Sequence, residues 1–160
     1  MITTLNSPIC MKSIAKIKQR VFLDTNIILD VLSSDNRNHR EASRKIFQAM
    51  RNEDFEGFIT TQSIIDAQYI LSKEKGFSPG KFGQVMLFIM SFVNVTHIDG
   101  LSIREALKNP TGDFEDDAQF IQADSEDVDV VVTSDQRFLA RQDGNGPLFI
   151  TPEGFIEKMS

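Results

Sequence analysis

Tryptophan is absent from this 160-residue chain, and cysteine and tyrosine occur once each. The single Cys10 excludes an intrachain disulfide framework and the clustered thiolates of a structural zinc site. It fits a reducing compartment, so a cytoplasmic protein is expected. Two histidines, His39 and His97, stand far apart in sequence and read as surface or strand-end residues. No apolar run approaches the roughly 20 residues needed to span a bilayer. The N-terminus lacks the apolar stretch of a signal peptide. No glycine-rich loop of the phosphate-cradling kind is present, which counts against nucleotide hydrolysis.

What the chain does have is 41% hydrophobic residues, among them thirteen Phe. That is enough apolar content for one domain with its own core. The net charge of −6 is unevenly placed. The first 20 residues carry Lys12, Lys16, Lys18 and Arg20 and no acid, so the rest of the chain is more acidic than the total implies. Residues 1–19 precede the first clear strand and are expected to be a flexible N-terminal extension of a domain spanning 20–160. An acidic body binds nucleic acid weakly through phosphates unless bound cations offset its charge.

Arg20-Val21-Phe22-Leu23-Asp24 is an apolar strand that ends on an acid, and Thr25-Asn26-Ile27-Ile28-Leu29-Asp30 continues as a helix. Helices are expected over 39–51, 61–72, 79–92, 101–107, 114–124, 136–141 and 152–158. Strands are expected over 57–60, 93–98, 128–133 and 147–150. This alternation predicts an α/β fold with a mainly parallel sheet covered on both faces. In such folds ligands bind outside the carboxyl ends of the strands. Asp24 and Asp135, at the exits of two apolar strands, converge on one cation if those strands are neighbours, about 4.8 Å apart.

Each acid has a plainer reading beside the functional one. Asp24 and Asp135 can each cap the helix that follows, although Thr25 can serve that purpose one residue after Asp24. Asp66 lies inside an apolar helix, where an acid is costly unless paired or metal-bound, or sits near enough to the N-terminus to favour the helix dipole. Asp113 followed by Asp116 resembles a capping box. Asp113, Asp116 and Asp117 also share one helix face, and a divalent cation would offset their repulsion.

Taken together, the stretches Val21 to Asp30, Asp113 to Asp116 and Val131-Val132-Thr133-Ser134-Asp135 resemble the PIN-domain ribonucleases, and among them the VapC-type toxins of bacterial toxin–antitoxin systems. The likeness runs from about Val21 to Phe149. It implies a three-layer α/β/α sandwich with a five-stranded sheet in the order 3-2-1-4-5. It also implies RNA cleavage at an acidic site holding Mg²⁺ or Mn²⁺. By the same resemblance Asp24, Asp66, Asp116 and Asp135 are the catalytic, metal-binding acids. Thr25, Asn26 and Thr133, with Asp113 and Asp117 nearby, stand as supporting residues. Asp66 falls where the family usually has Glu, and being one methylene shorter it would reach a cation through water. Asp117 falls where the family usually has a small residue.

The resemblance further implies an RNA substrate, a cognate antitoxin, a homodimer and no membrane. The helix from Pro79 to Phe92 is the expected partner surface. One of its faces carries Phe82, Met86 and Ile89, and another carries Val85, Phe88 and Phe92. Arg37, Lys73, Lys75, Lys81, Arg137 and Arg141 are candidate phosphate contacts, and no aromatic platform for bases is visible. Two other functions compete: a non-catalytic PIN-like binding module, and an aspartyl-phosphate phosphatase with Asp24 as nucleophile. The second wants another acid two residues on, where this chain has Asn26.

Overall fold

The computed structural model describes residues 18–108, 110–142 and 144–160. Most of the expected extension, residues 1–17, lies outside them. The elements run β1 (Arg20–Leu23), α1 (Thr25–Leu32), α2 (Arg40–Arg51), β2 (Glu56–Thr60), α3 (Thr61–Leu71), α4 (Pro79–Ile89), β3 (Asn94–Thr96), α5 (Gly100–Lys108), α6 (Phe114–Ser125), β4 (Val130–Val132), α7 (Gln136–Leu139), β5 (Leu148–Ile150) and α8 (Pro152–Met159). The sheet order is β3-β2-β1-β4-β5. All four pairings are parallel, with Leu23 opposite Val132 in the β1–β4 ladder.

Alternation along the strands sorts the core into two layers. Val21, Leu23, Ile59, Val130 and Val132 face one side and pack with Ile27, Ile28, Ile46, Met50 and Phe155 from α1, α2 and α8. Phe22, Phe58 and Val131 face the other, against Ala123, Phe138 and Phe149. A parallel sheet buried on both faces and flanked by helices is the three-layer sandwich expected from the sequence. Phe does much of the filling, as in the edge-to-face pair of Phe55 and Phe155, 5.3 Å apart.

Several helices start where the sequence carries a capping side chain. Thr60, Ser78, Asp113, Asp135 and Thr151 each accept a hydrogen bond from a backbone N–H in the first turn. Those at Thr60, Asp135 and Thr151 fix helix starts at the exits of β2, β4 and β5. Gly57 in β2 is required for a different reason. A Cβ there would stand 1.8 Å from Met50 Sδ, so α2 lies directly against its backbone.

Candidate metal centre

Asp24 leaves β1 with extended backbone angles, φ −64° and ψ 156°. Its N–H still donates to Val132 O at 3.1 Å, so it closes the β1–β4 ladder. It occupies the position before α1, yet its side chain makes no capping hydrogen bond. The carboxylate turns instead to the neighbouring strand. Oδ2 accepts from Thr133 Oγ1 at 2.7 Å and from Asn26 Nδ2 at 3.3 Å. The same Thr133 oxygen accepts from the Asp135 N–H at 3.0 Å. One hydroxyl thereby orders both strand exits. Burial raises the Asp24 pKa, the Thr133 and Asn26 donors offset only part of that, and the Asp135 charge adds to the rise.

Asp135 combines both readings: Oδ1 caps α7 by accepting from the Arg137 N–H at 2.8 Å, while its charge is felt at Asp24 and Asp116. Asp66, on α3, accepts from Gln62 Nε2 at 2.8 Å through Oδ1. Its Oδ2 is buried with no hydrogen-bond partner. Asp116 is similar. Its N–H donates to the Asp113 cap at 3.3 Å, and its Oδ2 is buried without a partner. Burial and the charges of Asp113, Asp135 and Asp24 push its pKa up to about 6.

Glu115 joins this group although nothing in the sequence singled it out. Burial and then the charges of Asp66 and Asp24 push it up to about 7, and the Glu115 and Asp66 carboxyls are close enough to hydrogen-bond when one is protonated. Gln119 Nε2 holds its Oε1 at 3.1 Å. A Glu in the first turn of a helix is favoured by the dipole alone, so its sequence position carried no functional signal.

Asp117 belongs elsewhere. It is 2% exposed and accepts from Thr111 N–H at 2.8 Å, Thr111 Oγ1 at 2.5 Å and Arg141 Nη2 at 2.6 Å. Burial would raise its pKa, but the Thr111 and Arg141 donors outweigh burial and hold it low. The shared face of Asp113, Asp116 and Asp117 therefore splits, with Asp117 turned into an ion pair. Thr25 reaches Asp24 through its backbone, whose hydrogen bond acts to lower the Asp24 pKa, while its hydroxyl donates to Ser63 Oγ at 3.0 Å. Asp113 caps α6 and pairs with Arg137 at 3.1 Å.

Most of the candidate phosphate contacts are engaged. Arg37 holds the buried Asp30 at 2.6 Å, with Ser43 on the other Asp30 oxygen at 2.9 Å. Lys73 lies over the Tyr69 ring at 3.8 Å, and Arg141 lies over Phe120 and Phe138. His39 pairs with Glu153 at 2.9 Å, away from the acids. Asp30 is the partner sequence reading missed, although an acid between Leu29 and Val31 was signal enough.

Among the described residues, no three acids, histidines or cysteines are already drawn into a ligand set. The donor chemistry nevertheless fits a hard divalent cation. It is all oxygen, it includes two buried carboxylate oxygens without a donor, and burial followed by mutual repulsion raises several of its pKa values. Side-chain rotation would have to close the set around an ion.

A parallel α/β/α sandwich with acids gathered at the carboxyl ends of its two central strands defines an acidic-site class within doubly wound folds. The PIN-domain family model matches residues 20–137, and the chain belongs to that family. No curated protein matches it by sequence. Its fold is shared with VapC20 of Mycobacterium tuberculosis, described as a sarcin–ricin loop cleaving toxin. The TM-score is 0.61 at 12% identity, over 76% of this chain and 95% of that one. A toxin–antitoxin complex from Klebsiella pneumoniae matches with a TM-score of 0.56 at 18% identity, over 82% and 97%. VapBC2 of Rickettsia felis, solved on a DNA fragment from its promoter, matches at 0.59 and 13%, over 83% and 98%.

Proposed function

We propose that this PIN-domain protein is a divalent-metal-dependent endoribonuclease and the toxin half of a toxin–antitoxin pair. One observation carries the reading: the acids that α3 and α6 bring to Asp24 and Asp135 include buried oxygens, Asp66 Oδ2 and Asp116 Oδ2, that have no donor. Asp24, Asp66, Asp116 and Asp135 are the proposed ligands, and Glu115 is added to them. Its longer side chain supplies the reach that Asp66 lacks. Bound Mg²⁺ or Mn²⁺ would supply a nucleophilic water and offset charge on the phosphate. The chain's own part is positioning. Thr133 and Asn26 fix the Asp24 carboxylate, and Thr133 sets Asp135 beside it. Hydrolysis forms a bond from a water oxygen to phosphorus and breaks the bond to one bridging oxygen. That oxygen leaves with the electron pair and takes up a proton.

The domain from residue 20 to residue 160 is the proposed nuclease unit. Among the described residues no helix is long and apolar enough to cross a membrane, and a cytoplasmic location goes with the RNA substrate. The proposed partners are a cognate antitoxin and a second copy of the chain. Support comes from the fold neighbours solved as toxin–antitoxin complexes. It comes also from an open groove of about 450 Å³ where α4 meets α1 and α2, lined by Val31, Phe47, Val85, Phe88 and Phe92. Of the two α4 faces, Met86 and Ile89 are core, while Phe88 is 52% exposed.

Asp66, standing where the family usually has Glu, is what favours the non-catalytic reading. Purified protein and its Asp24→Asn variant, incubated with RNA and Mn²⁺, decide between the two. Cleavage by the wild type that the variant loses supports the nuclease. Equal cleavage by both, or none by either, refutes the assignment.

A further inference from the structure

The acidic cluster is not uniform in charge. On one side Arg137 Nη2 lies 3.1 Å from Asp113 Oδ2 and 3.7 Å from Asp135 Oδ2. The Arg137 backbone N–H also holds Asp135 Oδ1 at 2.8 Å. On the other side Asp66 Oδ2 and Asp116 Oδ2 are buried without a donor. The Asp24 carboxylate has the neutral donors of Thr133, the Thr25 backbone and Asn26. Other arginines near the site are committed, Arg141 to Asp117 and Arg37 to Asp30, each at 2.6 Å. Among the described residues the cluster therefore has a half paired directly with a cation and a half that is not, although the Arg141 charge at Asp117 acts to lower the Asp116 pKa.

Arg137 stays 72% exposed while it spans those two carboxylates. An exposed ion pair is weakly held. A guanidinium matches phosphate oxygens as well as it matches carboxylates. Exchange of a carboxylate for a phosphate is therefore easy, and the phosphate it would meet is the one at the acidic site.

We propose that Arg137 is the built-in cation of this site. It fills the Asp113–Asp135 side in place of a second metal ion, and it contacts a nonbridging oxygen of the RNA phosphate when substrate binds. The inference rests on the nuclease reading above and deepens it. A single divalent cation then belongs on the side of Asp24, Asp66, Glu115 and Asp116, which narrows the ligand set proposed above by Asp135, the acid that Arg137 spans together with Asp113.

Two measurements on the full chain test this without relying on turnover. The first is calorimetric titration with Mn²⁺ in the absence of RNA. One ion per chain is expected for the wild type and two for Arg137→Asp, which removes the cation and adds a carboxylate. The second is binding of a 2′-O-methyl single-stranded RNA without divalent metal. Arg137→Ala should bind about tenfold more weakly, the loss of one charge-assisted hydrogen bond. Its slope of log Kd against log salt should fall by about 0.7, the share of one phosphate on a single strand. Arg137→Lys keeps the charge and should keep the slope.

Two Mn²⁺ ions on the wild type, or an Arg137→Ala variant with unchanged affinity and slope, overturns the proposal. If the wild type still cleaves RNA with Mn²⁺, that failure belongs to Arg137 alone. A wild type that takes up no Mn²⁺ and holds no RNA overturns the nuclease reading and this one with it.

Discussion

Asp117→Asn and Asp116→Asn change adjacent carboxylates by the same atom, and the structure assigns them opposite effects on stability. Asp117 is 2% exposed and receives three donors, the Thr111 N–H and hydroxyl and the Arg141 guanidinium. Breaking a buried pair by removing one charge costs about 3–5 kcal/mol. An amide keeps one acceptor for Thr111, so the low end, about 3 kcal/mol, is expected. For a chain of this size that corresponds to a Tm lower by about 6–12 °C. Asp116 has a buried oxygen without a donor and a pKa raised from 3.8 to about 6. A shift of that size corresponds to about 3 kcal/mol of unfavourable charge above pH 6. Partial exposure and salt screening reduce it to about 1 kcal/mol. Asp116→Asn should therefore melt about 2–4 °C higher than the wild type near neutral pH without metal. Its advantage should shrink as pH falls through 6, where the wild-type carboxyl takes up its own proton. Thermal melts by circular dichroism over that pH range are the assay. If Asp116→Asn loses as much stability as Asp117→Asn, the division of this segment into a repelled acid and a paired one is wrong.

The metal-free protein should lose stability as pH rises from mildly acidic to slightly alkaline. The folded pKa values of Glu115 and Asp116, about 7 and about 6, lie above their ordinary 4.5 and 3.8, so the folded state holds more protons across that window. Saturating Mn²⁺ should flatten the slope, and a metal-free Tm that climbs across the same window refutes the crowding. Gly57→Ala should cost about 2 kcal/mol by displacing the buried Met50 sulfur, read as a lower denaturation midpoint in urea. An unchanged midpoint would show that α2 adjusts freely. Phe88→Glu should stay folded, losing about 1 kcal/mol with the Phe92 and Arg51 contacts, and should lose self-association in light scattering. A variant that fails to fold would make that face core.

The sheet and the exits of its two central strands were legible because apolar runs stop on Asp24 and near Asp135, and the family order supplied the strand sequence. The caps at Ser78 and Asp113 were legible for a similarly local reason. What could not be read were pairings across the chain. Asp117 meets Arg141 across 24 residues, and Arg137 reaches back 24 residues to Asp113. In sequence all of these look like solvated surface charges. Glu115 was hidden because its helical position already accounts for its charge. Thr25 was read by likeness as a support for the acids; its backbone bonds Asp24, but packing of α1 against α3 turns its hydroxyl to Ser63. The strands expected over 93–98 and 128–133 shorten to Asn94–Thr96 and Val130–Val132, although the Asp129 and Thr133 N–H groups beside the latter still donate to Arg20 O and Ile150 O.

The Thr133 hydroxyl reaches Asp24 across 109 positions of sequence. During synthesis from the N-terminus, Asp24 emerges with α1 and β2 long before β4 exists to hold it. The strand that completes the site is therefore made long after β1, and its pairing with β1 is a non-local contact that forms slowly. A nascent or truncated chain ending before residue 130 holds Asp24 and Asp66 without the elements that align them. Such a chain would lack the Thr133 hydroxyl that orders both strand exits, so the topology withholds the assembled acid cluster until β4 has been made.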